Sequence, residues 1–205
     1  MQIDEVFNAV SHSVGAAFAL AGLVALVVRA ATRGDAWSIA ACSVYGATLL
    51  VLYTSSSLYH SLGGKPKTVF AKLDHSAIHL LIAGTYTPFA LVTLRGPRGF
   101  SILAAVWALA TAGILYEVLV PRRRRLVAVA LYVGMGWLAL VLIGPLSRAL
   151  APPALALLIV GGILYTLGVP FYALDKRLRF GHGVFHLFVL GGSAAHFAAV
   201  YGWVA

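Results

Sequence analysis

Three histidines lie in one apolar stretch near the end of the chain, "GHGVFHLFVLGGSAAHF", at residues 181–197. An imidazole in hydrocarbon needs a partner, because burying its polar nitrogens alone is energetically costly. His182 and His186 are four residues apart, so on a helix they share a face and can direct two ring nitrogens at one point. This spacing makes metal binding a candidate chemistry for the pair.

A third nitrogen for the same metal could come from His60, which ends a separate apolar segment at "SSSLYH". Three histidines that leave a fourth position open are the ligand set of a catalytic zinc site. His196 lies fourteen residues after His182, which is about 21 Å along a helix. It is therefore excluded from that metal.

The residues alone leave other interpretations of these histidines open. A single histidine inside a membrane is more often a hydrogen-bonding residue between helices than a metal ligand. His75 and His79 form a second pair four residues apart, and periodicity does not rank the two pairs.

Further polar residues occur near the same ends of the apolar segments. Asp74, in "FAKLDHSAIH", has three possible roles: a carboxylate beside the histidines, a helix cap, or the partner of Lys72 in an ion pair. Ser56 is typical of a serine bonded to its own backbone, and Glu117, near a basic loop, of an interfacial charge. The first apolar segment adds a group that is either part of a site or a polar patch at a helix start: Glu5, Asn8 and His12.

The composition shows which solvent surrounds the segments that must position these residues. Of the 205 residues, 61% are hydrophobic and 10% are charged, whereas soluble domains carry about a quarter charged residues. The surrounding solvent is therefore lipid, and membrane lipids are the expected partners. The net charge of +9 sits in short runs between apolar segments, which indicates membrane topology and no nucleic-acid partner.

Seven apolar segments are long enough for a spanning helix, which needs about 20 residues. They cover residues 6–30, 37–62, 69–94, 99–120, 125–145, 152–174 and 181–204. The connections are short, so residues 1–205 are expected to form a single all-α domain, a seven-transmembrane helix bundle. Pro88 and Pro170 fall inside spans and are expected to kink them.

The basic residues predict the orientation. The loops on the side of the N-terminus hold Lys65, Lys67, Lys72, Arg122, Arg123, Arg124, Arg125, Lys176, Arg177 and Arg179. The opposite side holds half as many: Arg29, Arg33, Arg95, Arg98 and Arg148. The positive-inside rule then puts the N-terminus in the cytoplasm and the C-terminus outside, in the inner (plasma) membrane.

Two further classes of site are excluded by residue type. A retinal protein needs a lysine on the last helix for its Schiff base, and residues 181–205 contain none. Cys42 is the single cysteine, so no disulfide framework exists, and its apolar neighbours indicate a packing role.

Four stretches together resemble the hemolysin III family, the bacterial branch of the progestin and adipoQ receptor (PAQR) proteins. They are "DEVFNAVSHSVG", "SSSLYH", "KLDHSAIHLLIAGTYTPF" and "GHGVFHLFVLGGSAAHF", and the similarity covers nearly the whole chain. The shared signature is S-x-x-x-H on the second helix, an Asp early in the third and H-x-x-x-H on the seventh. The residues that match it in order are Ser56, His60, Asp74, His182 and His186.

The resemblance implies a zinc ion held by His60, His182 and His186, with Asp74 and Ser56 as catalytic residues beside it. The E-x-x-N-x-x-x-H run of the bacterial branch matches Glu5, Asn8 and His12. The pattern needs no histidine at positions 75 or 79, so these two are interpreted as supporting or packing residues.

Two classes of function follow from the resemblance. The first is a zinc-dependent hydrolase of membrane lipid amides at the inner leaflet, because related receptors have ceramidase activity, and Asp74 would be its base. The second is a non-enzymatic regulator of membrane lipid homeostasis, or a membrane-perturbing hemolysin that causes cytolysis. In this second class the zinc is structural and Asp74 takes the fourth position.

Overall fold

The computed structural model describes residues 3–121 and 124–205 and, in these residues, consists of helices and their connections. Within this described part of the chain, seven helices are long and apolar enough to cross a membrane, which confirms the predicted fold class. They are α1 (Ile3–Arg33), α2 (Ala36–Ser61), α3 (Gly64–Thr93), α4 (Pro97–Leu119), α5 (Arg125–Ala149), α6 (Pro152–Ala173) and α7 (Gly181–Trp203).

The helix ends follow from local chemistry. Asp35 caps α2 by accepting hydrogen bonds from the backbone N–H (3.0 Å) and hydroxyl (2.9 Å) of Ser38. These bonds hold the pKa of Asp35 below its ordinary value. Pro97 and Pro152 stand in the first turns of α4 and α6, where no backbone donor is needed.

Two of the helices are irregular inside the bundle. In α3, a π-helical turn, Phe89–Thr93, directly follows Pro88, and Leu94 donates its N–H to the carbonyl of Phe89 at 2.8 Å. In α5, a 3₁₀ segment, Leu138–Leu142, interrupts the α-helix. Both lie on the wall of the internal cavity described below.

The helices do not pack equally closely. α1 packs along α2, α2 along α3, and α6 along α7, whereas α5 contacts α4, α3 and α6 far less extensively. The loose side of the bundle is therefore at α5, and a cavity opens there.

Seven spans place the two chain termini on opposite sides of the membrane. The side of the N-terminus also holds the ends of α2, α4 and α6 and the starts of α3, α5 and α7. Arg122 and Arg123, which contribute to the predicted positive side, lie outside the described residues. The cytoplasmic placement of this side stays a prediction.

Candidate metal centre

Three imidazoles meet at the N-terminal side of the bundle. His60 lies in the last turn of α2, and His182 and His186 lie in the first two turns of α7. One ring nitrogen from each lies within 4.8 Å of the others, and in residues 3–121 and 124–205 no other His, Cys, Asp or Glu group has such an arrangement. These three residues are called the histidine cluster below.

His60 is held by a carboxylate from α1. Its Nδ1 lies 2.6 Å from Oε2 of Glu5, whose Oε1 accepts from Nζ of Lys67 at 2.7 Å. Because an ionised carboxylate only accepts hydrogen bonds, Nδ1 carries the proton and Nε2 has the lone pair. That Nε2 is buried and has no hydrogen-bond partner among the described residues, as expected for a nitrogen facing a ligand site.

His182 is held in the same way by a residue of the loop between α6 and α7. Its Nδ1 lies 3.2 Å from Oδ2 of Asp175, and Arg125 donates to both carboxylate oxygens of Asp175 at 2.7 Å. Burial raises the pKa of Asp175, but the bonds from Arg125 and His182 outweigh it and hold the pKa below its ordinary value. Asp175 is therefore ionised at neutral pH.

His186, 1% exposed, is held by neutral partners from α1. Its Nδ1 lies 3.3 Å from the hydroxyl of Ser11, which itself donates to the carbonyl of Asn8 at 3.0 Å. The ring of His12 stacks on it, with centroids 3.5 Å apart and planes 10° apart. Of the predicted group in α1, Glu5 thus contacts His60, while His12 and Asn8 flank His186.

Asp74 and Ser56 are both buried and line the same cavity as His182 and His186. Two alternatives for Asp74 are wrong: α3 begins at Gly64, so position 74 is no cap, and Lys72 donates instead to the carbonyl of Val118 at 3.1 Å. The Ser56 hydroxyl lies beside Asp74 without reaching hydrogen-bonding geometry, and it does not bond its own backbone.

Three further polar side chains near this end, Glu117, His75 and His79, do not belong to the histidine cluster. The prediction of an interfacial Glu117 is wrong: it is 1% exposed, and Tyr132 donates to it at 3.4 Å. Its other carboxylate oxygen lies 3.9 Å from Nδ1 of His75. His79 packs against Tyr132 and Met135, away from the cluster.

Two cavities meet at the histidine cluster. An apolar chamber of about 300 Å³ runs between α3, α5, α6 and α7 and has Asp74, His182 and His186 in its lining. A more polar vestibule of about 660 Å³, lined by His60, His182 and both carboxylates that hold them, opens at the N-terminal side. His182 lines both cavities, so the cluster stands between an apolar and a polar compartment.

The donor set of the cluster fits a zinc ion. With Nδ1 of each ring engaged by Glu5, Asp175 or Ser11, the Nε2 atoms are left to bind. Zinc-binding histidines characteristically donate their second nitrogen to a carboxylate or another oxygen acceptor in this way. Neutral imidazoles also hold a cation within the membrane without adding charged ligands.

Sequence reasoning missed four residues that support the histidines: Ser11, Lys67, Arg125 and Asp175. One signal was available for Asp175, since it is the single acid in the basic loop seven residues before His182. Nothing local distinguishes Lys67 from Lys65 or Arg125 from Arg124.

Known proteins resemble this chain over most of its length. The family described as "Haemolysin-III related" matches residues 2–197. "Hemolysin-3" of Bacillus cereus is 45% identical over 198 residues, 96% of this chain and 90% of that protein. "Hemolysin-3 homolog" of Bacillus subtilis (strain 168) is 43% identical over 96% of this chain and 92% of that protein. The human "Monocyte to macrophage differentiation factor" is 28% identical over 82% of this chain and 71% of that protein.

Proposed function

We propose, from the fact that this chain belongs to the hemolysin III family, that it is a metal-dependent hydrolase. Its substrates would be amide-linked membrane lipids, reached at the inner leaflet of the plasma membrane. His60, His182 and His186 would hold a zinc ion, and Asp74 would be the catalytic base. The location of the histidine cluster between an apolar and a polar cavity carries this proposal.

The ligand count favours a catalytic over a structural metal. Structural zinc sites have four protein ligands, and catalytic sites have three and an open position. Among the described residues the candidate group consists of three histidines and does not include Asp74. Asp74 is therefore available as a base, whereas the non-enzymatic alternative needs it as a ligand.

The two cavities suit an amphiphilic substrate. The chamber is lined by apolar side chains such as Leu81, Ile82 and Val133 and can take an acyl chain. The vestibule contains charged groups such as Lys176 and suits a headgroup. The bond between chain and headgroup would then lie beside the histidine cluster.

Asp74 has a proton-transfer role in this proposal. Its carboxylate accepts a proton from the attacking water and returns it to the amine that leaves, so one group serves as base and then as acid. Ser56, beside it, would support the carboxyl group from α2. A bound zinc ion would supply polarisation of the amide carbonyl and would make water a stronger nucleophile at neutral pH.

The test compares Asp74→Asn with the unaltered protein, both purified in lipid nanodiscs and loaded with zinc. We expect Asp74→Asn to retain zinc and to lose at least about 100-fold in release of fatty acid from a long-chain ceramide, the range for a general base. Asp35→Asn, which removes a carboxylate at the start of α2 on the opposite side of the membrane and can still cap that helix, is the matched control and keeps full activity.

Three results would contradict this proposal. Hydrolysis by Asp74→Asn at the unaltered rate excludes Asp74 as the base. Loss of zinc from Asp74→Asn identifies it as a ligand and supports the structural alternative. A zinc-loaded unaltered protein that releases no fatty acid from ceramide or other N-acyl lipids supports a regulatory or membrane-perturbing role.

A further inference from the structure

Two of the three clustered histidines are each the inner end of a three-residue chain of polar contacts. One chain runs from His60 through Glu5 to Lys67, and its two contacts measure 2.6 and 2.7 Å. The other runs from His182 through Asp175 to Arg125, with contacts of 3.2 and 2.7 Å. In each chain the carboxylate stands between an imidazole and a cation from a different helix.

We propose that Glu5 and Asp175 are positioning residues of the metal site and that Lys67 and Arg125 hold them in place. This inference rests on the proposed metal site. It means that α3 and α5 also contribute to the zinc affinity of the site, although neither helix supplies a histidine to the cluster.

The geometry around Asp175 explains why its cation matters. Oδ2 of Asp175 faces both Arg125 and His182, while Oδ1 accepts from Arg125 alone. A guanidinium that donates to both oxygens fixes the plane of the carboxylate, which a single hydrogen bond does not. The fixed carboxylate orients the imidazole and keeps the proton on Nδ1, which leaves Nε2 for the metal.

Arg125 is itself anchored at the start of α5. It donates to the backbone carbonyl of Tyr172 near the end of α6, and its guanidinium carbon lies 4.0 Å from the centre of the Tyr172 ring. Its contacts thus join α5, α6 and the loop that precedes His182. Lys67 makes fewer contacts, with one oxygen of Glu5 and the ring face of Tyr59, although the two cations are about equally exposed. The Arg125 chain should therefore have the larger effect.

The experiment measures zinc affinity of the full chain in nanodiscs by competition with a chelator, so it needs no turnover. We expect Asp175→Ala to weaken zinc binding by about 10- to 100-fold, the range for such supporting residues. Arg125→Gln should weaken it by about 10-fold, and Arg125→Lys should recover part of that loss. The matched controls, Asp4→Ala and Arg124→Gln, remove the same charges from neighbouring positions without contacting a histidine and should leave affinity unchanged.

A charge exchange separates positioning from simple bracing of the helices. The double variant Arg125→Asp with Asp175→Arg can re-form the ion pair, but an arginine at position 175 cannot accept the proton of His182 Nδ1. We expect melting temperature of the zinc-free protein to recover in the exchange while zinc affinity stays at the level of Asp175→Ala.

Two outcomes overturn this inference alone, provided that the unaltered protein binds zinc. One is a folded Asp175→Ala variant with unaltered affinity, and the other is a charge exchange that restores affinity together with melting temperature. If the unaltered protein binds no zinc, the proposed function is overturned with it. Zinc binding that depends on Asp175 but supports no hydrolysis overturns only the enzymatic proposal.

Discussion

Helix α7 contributes histidines to two polar clusters, and the histidines have different partners in each. At its start, His182 and His186 belong to the histidine cluster, where Nδ1 atoms contact Asp175 and Ser11. Further along, His196 donates from Nε2 to the carbonyl of Leu158 at 2.9 Å and packs against the ring of Tyr165 at 5.4 Å.

The second group, called the tyrosine cluster, consists of Tyr53, Tyr165, Ser193 and His196. The hydroxyls of Tyr53 and Tyr165 meet Ser193 Oγ at 2.7 and 2.8 Å, and no carboxylate takes part in these contacts. His196 is thus satisfied by a helix backbone, whereas His182 is held by an ionised carboxylate and His186 by a neutral hydroxyl. The comparison indicates that convergence of several rings on one point, rather than burial, distinguishes a candidate ligand from a histidine that joins helices.

The largest difference between the two clusters is expected when one histidine is removed from each. We expect His182→Ala to abolish zinc retention after desalting, because two imidazoles hold zinc far more weakly than three. His196→Ala should keep one zinc per chain, since its ring belongs to the tyrosine cluster. Elemental analysis of both purified variants gives the answer. Equal zinc content in the two variants would remove the distinction.

The sequence predicted the parts of this architecture that depend on local pattern. Length and apolarity located all seven helices, and the four-residue spacing placed His182 and His186 on one face. Contacts between residues far apart in the sequence could not be predicted from any local pattern. Glu5 reaches Lys67 across 62 positions, and the choice of that lysine depends on how α1 and α3 meet.

Glu117 shows the reverse error. A carboxylate near a basic loop is typical of the interface, but here the last turns of α4 pack it beside Tyr132 of α5 and His75 of α3. Its burial is a consequence of tertiary packing, which periodicity does not describe. The contact that holds His182 likewise comes from a loop residue, Asp175, which belongs to no helical pattern.

Two adjacent glycines of α6 test whether the tyrosine cluster affects stability without affecting zinc binding. A Cβ added at Gly161 would collide with the ring of His196, whereas one at Gly162 has open space. We expect Gly161→Ala to lower stability by about 1–3 kcal/mol through overpacking, and Gly162→Ala to be neutral or slightly stabilising. Thermal melting in nanodiscs measures both. Zinc affinity should be unchanged in either variant, and a loss in Gly161→Ala would mean that the two clusters are coupled.

The smallest expected effect comes from Ser193, the shared partner of the two tyrosines. In Ser193→Ala the Tyr165 hydroxyl loses its partner at 2.8 Å, while Tyr53 still lies 3.4 Å from the carbonyl of Val189. Because hydrogen bonds between membrane helices contribute modestly, we expect a loss of about 1 kcal/mol, measured by thermal melting. Ser101→Ala, at an exposed serine that bonds its own helix at 2.8 Å, is the control and should change stability less. If Ser193→Ala also weakened zinc binding, the tyrosine cluster would be acting on the histidine cluster along α7. His196 could then no longer be treated as independent of the candidate ligands His182 and His186.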